Sequence, residues 1–215
     1  AKVANGPWEL YDIDADRTEL NNLAEAEPER LAGMIKRWEV WAEKALAKPW
    51  PWGGNRNASF SKKQKFALRQ GDHLPQESAP MVRGKAFTVE ARVESGGKDG
   101  VIIAQGGTNH GWALHIWGGT LRFVTRHGGK LTMVADEKPF PKDSVVVFAE
   151  LSKDGSVTLK IDGTVVARGK TLGALSDMPL DGLEVGEDRN GAVGRYSADT
   201  KFGGKVDAVK LQLIK

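Results

Sequence analysis

The chain has 215 residues, 40% hydrophobic and 27% charged, with a net charge of +3 and no cysteine. This is ordinary globular composition. It excludes a disulfide scaffold, thiol chemistry and cysteine-held zinc, and no apolar run approaches the ~20 residues of a membrane-spanning helix. The charge is uneven: residues 1–52 hold 7 basic and 10 acidic residues, the remainder 24 and 18. That pulls weakly towards an anionic partner for the second part. The Lys and Arg are scattered among acids with no basic helix face, which argues against nucleic acid. With no Met start and no signal-like stretch, the chain reads as a mature or excised piece.

In chain order, PWELYDI (7–13) reads as a short strand, and DADRTELNNLA after it as a turn with a brief helical stretch. Pro28, preceded by Glu25 and Glu27, stands at a natural first helical position. From there Leu31, Ile35, Trp38, Ala42 and Ala45 recur at three and four, widened by Met34 and Trp41. The spacing predicts an amphipathic helix of about 18 residues. Trp38 and Trp41 on that face read as core or interface rather than as a ligand platform. KPWPWGG follows as a connector, stiff and then loose.

Beyond the connector the pattern is β throughout. Apolar positions alternate at Phe66 and Leu68, and KAFTVEARVE places Phe87, Val89, Ala91 and Val93 on one face and Thr88, Glu90, Arg92 and Glu94 on the other. VIIAQ, WALHIW, LRFVTR and LTMVAD follow, separated by glycine-rich turns. A two-residue turn at Gly118-Gly119 sets Trp112 opposite Thr125, Leu114 opposite Phe123 and Ile116 opposite Leu121. It sets His115 opposite Arg122 and Trp117 opposite Thr120 on the other side. SVVVFAELSKDGSVTLKIDGTVVARG then reads as three strands joined by two-residue turns at Asp154-Gly155 and Asp162-Gly163. Its middle run puts Val157, Leu159 and Ile161 on one face, so a second sheet must cover it. With LEVG and KVDAVKLQLI the count is about eleven strands, and two packed antiparallel sheets are expected.

Catalytic patterns are missing. His73, His110, His115 and His127 form no metal-spaced pair, and there is no G-x-S-x-G elbow. The glycine-rich GGTNHGW precedes a strand, so no helix end is there to bind phosphate.

GPWELYDIDADRTELNNLAEAEPERLAGMIKRWEVWAEKA resembles the end of an arylsulfatase of the alkaline-phosphatase-like superfamily. From about residue 57 the chain is similar to a concanavalin-A/laminin-G-like sandwich, through AQGGTNHGWAL, the KDG and IDG turns, PLDGLEVGEDRNG and KFGGKVDAVKLQL. The resemblance implies a mostly β chain. Residues 1–52 are then a sulfatase carboxy-terminal strand-helix remnant, and residues 53–215 a concanavalin-like jelly-roll sandwich. A sulfatase of this class depends on C/S-x-P-x-R. The nearest approach here is Ser78-Ala79-Pro80-Met81-Val82-Arg83, with the Arg one residue late. The chain is therefore expected not to be an enzyme but the accessory tail of one, with the sulfatase catalytic domain as its partner and a periplasmic or extracellular location.

Such sandwiches commonly bind glycans on a concave face or at loop tips. The expected surface is the outer side of the 112–126 hairpin, with His115, Trp117, Arg122 and Arg126 together and Asn109 and His110 in the loop before it. The arginines would meet sulfate oxygens of a sulfated polysaccharide through charge-assisted bonds. No cofactor is required. Laminin-G-like folds often hold calcium, for which Asp188 and Asn190 are the candidates, although no recognised ligand spacing stands there. The alternative is a purely structural tail that packs on and stabilises the catalytic domain.

Overall fold

The computed structural model describes residues 6–45, 61–198 and 200–214. The chain divides into two compact units, Ala1–Ala58 and Ser59–Lys215. The connector KPWPWGG lies outside the described residues.

In the first unit the helix α1 runs Pro28–Lys44, with proline in its first turn, Glu29 at the start and Lys44 at the end, where charge suits the dipole. Trp38 meets Trp8 edge-on, ring centroids 5.2 Å apart. Met34, Val40 and Trp41 stay exposed. The expected strand at 7–13 is reduced to one bridged residue, Trp8, and the helical stretch after it to single turns, closed by Asp16 N–H on Asp12 O (2.6 Å) and Glu27 N–H on Leu23 O (2.9 Å). Side chains take the backbone groups that a strand or helix would use. Asn22 Oδ1 accepts the Leu10 amide and Asp16 Oδ2 the Asn21 amide, while Asp12 Oδ1 accepts from Asp14 and Ala15. Asn and Asp compete with regular structure in this way.

The second unit holds the strands β1 (Lys65–Leu68), β2 (His73–Leu74), β3 (Ala86–Glu94), β4 (Gly100–Gly106), β5 (Gly111–Trp117), β6 (Thr120–His127) and β7 (Lys130–Ala135). They are followed by β8 (Ser144–Leu151), β9 (Ser156–Ile161), β10 (Thr164–Lys170), β11 (Leu183–Val185), β12 (Glu187–Asp188), β13 (Thr200–Lys201) and β14 (Lys205–Ile214). One six-stranded antiparallel sheet has the order β1-β14-β3-β8-β9-β10 and a second the order β2-β11-β4-β5-β6-β7, with β12-β13 as a small ribbon. The period-two faces of β3 and β9 point between the sheets as expected, and the core there includes Phe87, Trp112, Leu114, Phe123, Leu151 and Leu159. Phe87 and Trp112 lie 4.7 Å apart, and Trp112 stacks on Phe123 at 6.1 Å. Among the described residues no helix is long and apolar enough to cross a membrane.

The β8-β9-β10 meander follows its turn chemistry with one correction. Ile161 pairs with Thr164 across Asp162 (φ 47) and Gly163 (φ 79), the expected two-residue turn. Asp162 Oδ1 also takes the Val146 amide at 2.7 Å, tying that turn to β8. The other turn spans three residues, 153–155. Ser152 N–H donates to Ser156 O (2.9 Å) and Gly155 N–H to Ser152 O (3.0 Å), and Gly155 sits at φ 86. A glycine in the left-handed position after a tight turn closes a three-residue hairpin as readily. Gly163→Ala meets no atom within 4 Å, so it is expected to lose only the left-handed conformer's preference, about 1–2 kcal/mol, read from the urea midpoint.

Candidate functional site

The β5–β6 hairpin has the register expected of it: Trp112 with Thr125, Leu114 with Phe123, His115 with Arg122, Ile116 with Leu121 and Trp117 with Thr120. Its outer face is not open to solvent. Residues 189–198 run across it as a strap. Val193 and Tyr196 pack on Val101, Ala104, Ala113 and Val124, with Trp117 and Leu131 at the margin. His115 is only 2% exposed, its ring edge-on to Tyr196 at 5.0 Å. The outer positions of β4, β5 and β6 are apolar enough to require a second cover. A bulge in β4 between Val101 and Ile103 lets that strand feed both layers. The unbroken apolar run VIIA carried this signal, since a strand buried on both faces does not alternate.

Two expected ligand residues hold the strap in place. Arg126 donates from Nε to Val193 O (2.8 Å), from Nη1 to Gly129 O (2.9 Å) and from Nη2 to Gly194 O (3.5 Å). Asp188 Oδ2 accepts from Val193 N–H (3.0 Å) and Tyr196 O–H (2.6 Å). Burial pushes the Asp188 carboxyl up to about 6 against those two bonds, and burial beside Asp188 pushes the Tyr196 phenol up as well. Burial, with Arg122 nearby, brings His115 down to about 3, and its Nδ1 has no hydrogen-bond partner. A calcium ion at Asp188 would compete with two proton donors already aimed at the same oxygen. Asn190 stands exposed at φ 36. Among the described residues no three His, Asp or Glu side chains gather as metal ligands. Asp188 and Asn190 thus do not fit a calcium site.

The other expected residues fall at opposite ends of β5. Trp117 leans on Tyr196 at 6.1 Å, and Arg122 Nε donates to Thr120 Oγ1 at 3.1 Å. Beside them Asp99 receives the Gly118 and Gly119 amides at 2.7 and 3.0 Å. Asn109 and His110 lie seven or more residues from Trp117 along an extended strand, about 23 Å, at the end where Arg126 stands opposite Gly111.

At that far end three loops form a polar rim. Asn109 O accepts the Gly129 amide (2.8 Å) and His110 O the Gly107 amide (3.1 Å). His110 Nδ1 faces the Gly128 amide at 3.5 Å, and His110 Nε2 lies 3.8 Å from Asp177 Oδ2. Gly107 lies tight against the neighbouring loops: a Cβ there would stand 2.5 Å from Asp181 Oδ2 and 3.0 Å from Gly191 O. Burial, and His110 alongside, lower the pKa of neighbouring His127. The Asn109 side chain is exposed, so the rim offers an amide, an imidazole and a carboxylate to a ligand.

The sequence matches no family model and no curated protein. Solved structures do match. The sialidase carbohydrate-binding domain CBM40 of Ruminococcus gnavus, bound to α2,3-sialyllactose, superposes with a TM-score of 0.50 at 14% identity, covering 70% of this chain and 89% of that one. Mouse laminin α1 domains LG4-5 give 0.47 at 19% identity, covering 73% and 42%. Domain 4 of the arabinanase AbnA from Geobacillus stearothermophilus, in complex with arabinotriose, gives 0.49 at 14%, covering 67% and 68%. The fold is a mostly β jelly-roll sandwich of two antiparallel sheets.

Proposed function

We propose that residues from about 53 onward form a non-catalytic carbohydrate-binding domain whose contact surface is the rim around Asn109 and His110. The observation that carries this reading is the convergence of three loops on unlike polar groups: the exposed Asn109 side chain, His110 and Asp177. Sugar hydroxyls donate and accept at once, and need such a mixture at one place. The solved sandwiches of similar fold include one bound to sialyllactose, which supports the ligand class. In the same reading residues 1–52 are the end of an arylsulfatase-like sulfuric ester hydrolase, whose catalytic domain is the partner. The protein works in the periplasm or outside the cell.

Affinity electrophoresis of the chain against neutral and sulfated polysaccharides tests the proposal. Retention in the millimolar to micromolar range is expected, about −4 to −8 kcal/mol. Asn109→Ala with His110→Ala is expected to weaken retention on the neutral polysaccharides about tenfold, as the loss of one good polar contact does. Silence across both classes would favour the structural tail. That second reading rests on the exposed Met34 and Trp41, two turns apart on one face of α1, exposed apolar side chains of the kind that mark a docking face.

A further inference from the structure

On the edge of the sandwich away from β7 and β10, the terminal strands of the two sheets leave a cleft of about 440 Å³, lined by Lys63, Lys65, Phe66, Asp72, His73 and Ser78 among others. That volume lies within the range of small-molecule sites. The cleft is rich in hydrogen-bond donors for three separate reasons.

Neither Lys63 nor Lys65 has an ion pair among the described residues, and both are exposed. Next, Gln64 O accepts the Leu213 amide at 2.8 Å and Phe66 stands opposite Leu211. Pairing alternates in an antiparallel ladder, so the amides of Lys65 and Ala67 point away from β14 to the open edge. Finally, His73 is held in one orientation. It stands opposite Glu184 in the β2-β11 register, with Nδ1 at 3.1 Å from Glu184 Oε1. Glu184 is itself 6% exposed and fixed by the Arg189 amide (2.6 Å) and Nε (2.9 Å). The imidazole therefore has only Nε2 left for a ligand. The acceptor side is thinner: Asp72 already receives the Arg69 amide at 2.8 Å. Phe66, Leu68 and Leu74 supply the apolar wall.

We propose that this cleft is a second binding site, distinct from the rim, for the oxyanion of an acidic saccharide, either a uronic carboxylate or a sulfate ester. The ammonium groups of Lys63 and Lys65 and the edge amides receive the oxyanion. The ring's hydroxyls reach Ser78 and Asp72, and its carbon face lies along the apolar wall.

The test is titration calorimetry of the intact chain with three oligosaccharides of equal length: neutral, uronate-containing and sulfated. At least one acidic form is expected to bind about tenfold or more tighter than the neutral one, and to weaken as salt rises. Which acidic form binds identifies the oxyanion. The double variant Lys63→Ala, Lys65→Ala is expected to lower that affinity about a hundredfold, at about tenfold per charge-assisted contact. Both lysines are exposed, so its urea midpoint should match that of the parent chain. Asn109→Ala with His110→Ala should leave the acidic preference in place, which separates this site from the rim. Equal affinity for neutral and acidic forms overturns the proposal, as does no binding of either acidic form or an unaffected double variant.

Discussion

Trp112→Ala is expected to lower the unfolding free energy by about 3–5 kcal/mol, the range for removing a large buried aromatic. Three terms add at this position. The indole is fully buried and lies 4.7 Å from the Phe87 ring and 6.1 Å from that of Phe123, so its removal opens a cavity between the sheets. Its Nε1–H donates to Gln105 Oε1 at 3.2 Å, while Gln105 Nε2 donates to Pro80 O at 2.9 Å. The variant leaves a buried amide oxygen without a partner, a penalty of about 1–3 kcal/mol. Trp112→Phe separates the terms: it keeps a ring in the stack and loses the N–H, so its effect should lie well below that of Ala. Urea unfolding reads both, the midpoint falling at constant slope. Since a domain has only about 5–15 kcal/mol of stability, a Trp112→Ala chain within 1 kcal/mol of the parent would remove these rings from the core.

The second large effect is one of pH. Asp188, raised to about 6, prefers to keep its proton in the folded chain. Its favourable contribution is complete below the unfolded value near 3.8 and is lost as pH rises through 6. His115, lowered to about 3, resists its proton. Its contribution is complete above about 6.5 and is lost as pH falls towards 3. Between about pH 4 and 6 the folded chain therefore holds one proton on Asp188 and none on His115, and the unfolded chain the reverse. Equal proton counts mean no slope from this pair.

Each partner's removal should uncover the other. His115→Phe keeps a ring against Tyr196 and leaves Asp188 alone, so stability relative to the parent should rise by roughly 3 kcal/mol as pH falls from 6 to 4. Asp188→Asn keeps an acceptor for Tyr196 and leaves His115 alone, so relative stability should fall over the same window by a similar few kcal/mol. The comparison is of unfolding free energies, variant minus parent, at pH 4, 5, 6 and 7. Parallel profiles for all three chains would mean that neither group is held in the buried state described.

Much of the fold is legible in local pattern. The alternation of 86–94 and 156–161, the turn at Asp162-Gly163 and the whole register of the 112–126 hairpin appear where the sequence places them. The helix from Pro28 does too. The misses share one cause. PWELYDI has the composition of a strand but shows a single bridge at Trp8, and a strand exists only through its partner. At Asp154-Gly155 the dipeptide suits two loop lengths, and the flanking strands chose the longer one.

The candidate site was read less well, because its residues were assigned by side-chain type on one face of a hairpin. Asn109 and His110 do reach a rim, but His115, Arg126 and Asp188 belong to the strap and its anchors. Lys63, Lys65 and His73 carry no motif. They share a cleft only because β1 joins β14 and β2 joins β11 at one edge of the sandwich.

The sequence by itself thus determined the strands, most of their turns and the pairing of neighbours, because side-chain period and positive-φ glycines act within a few residues. The tertiary structure decided which polar-looking face is wet. Hydrophobic cover is indifferent to separation along the chain, and residues 189–198 close over 113–124 to bury a histidine, a carboxylate and a tyrosine together.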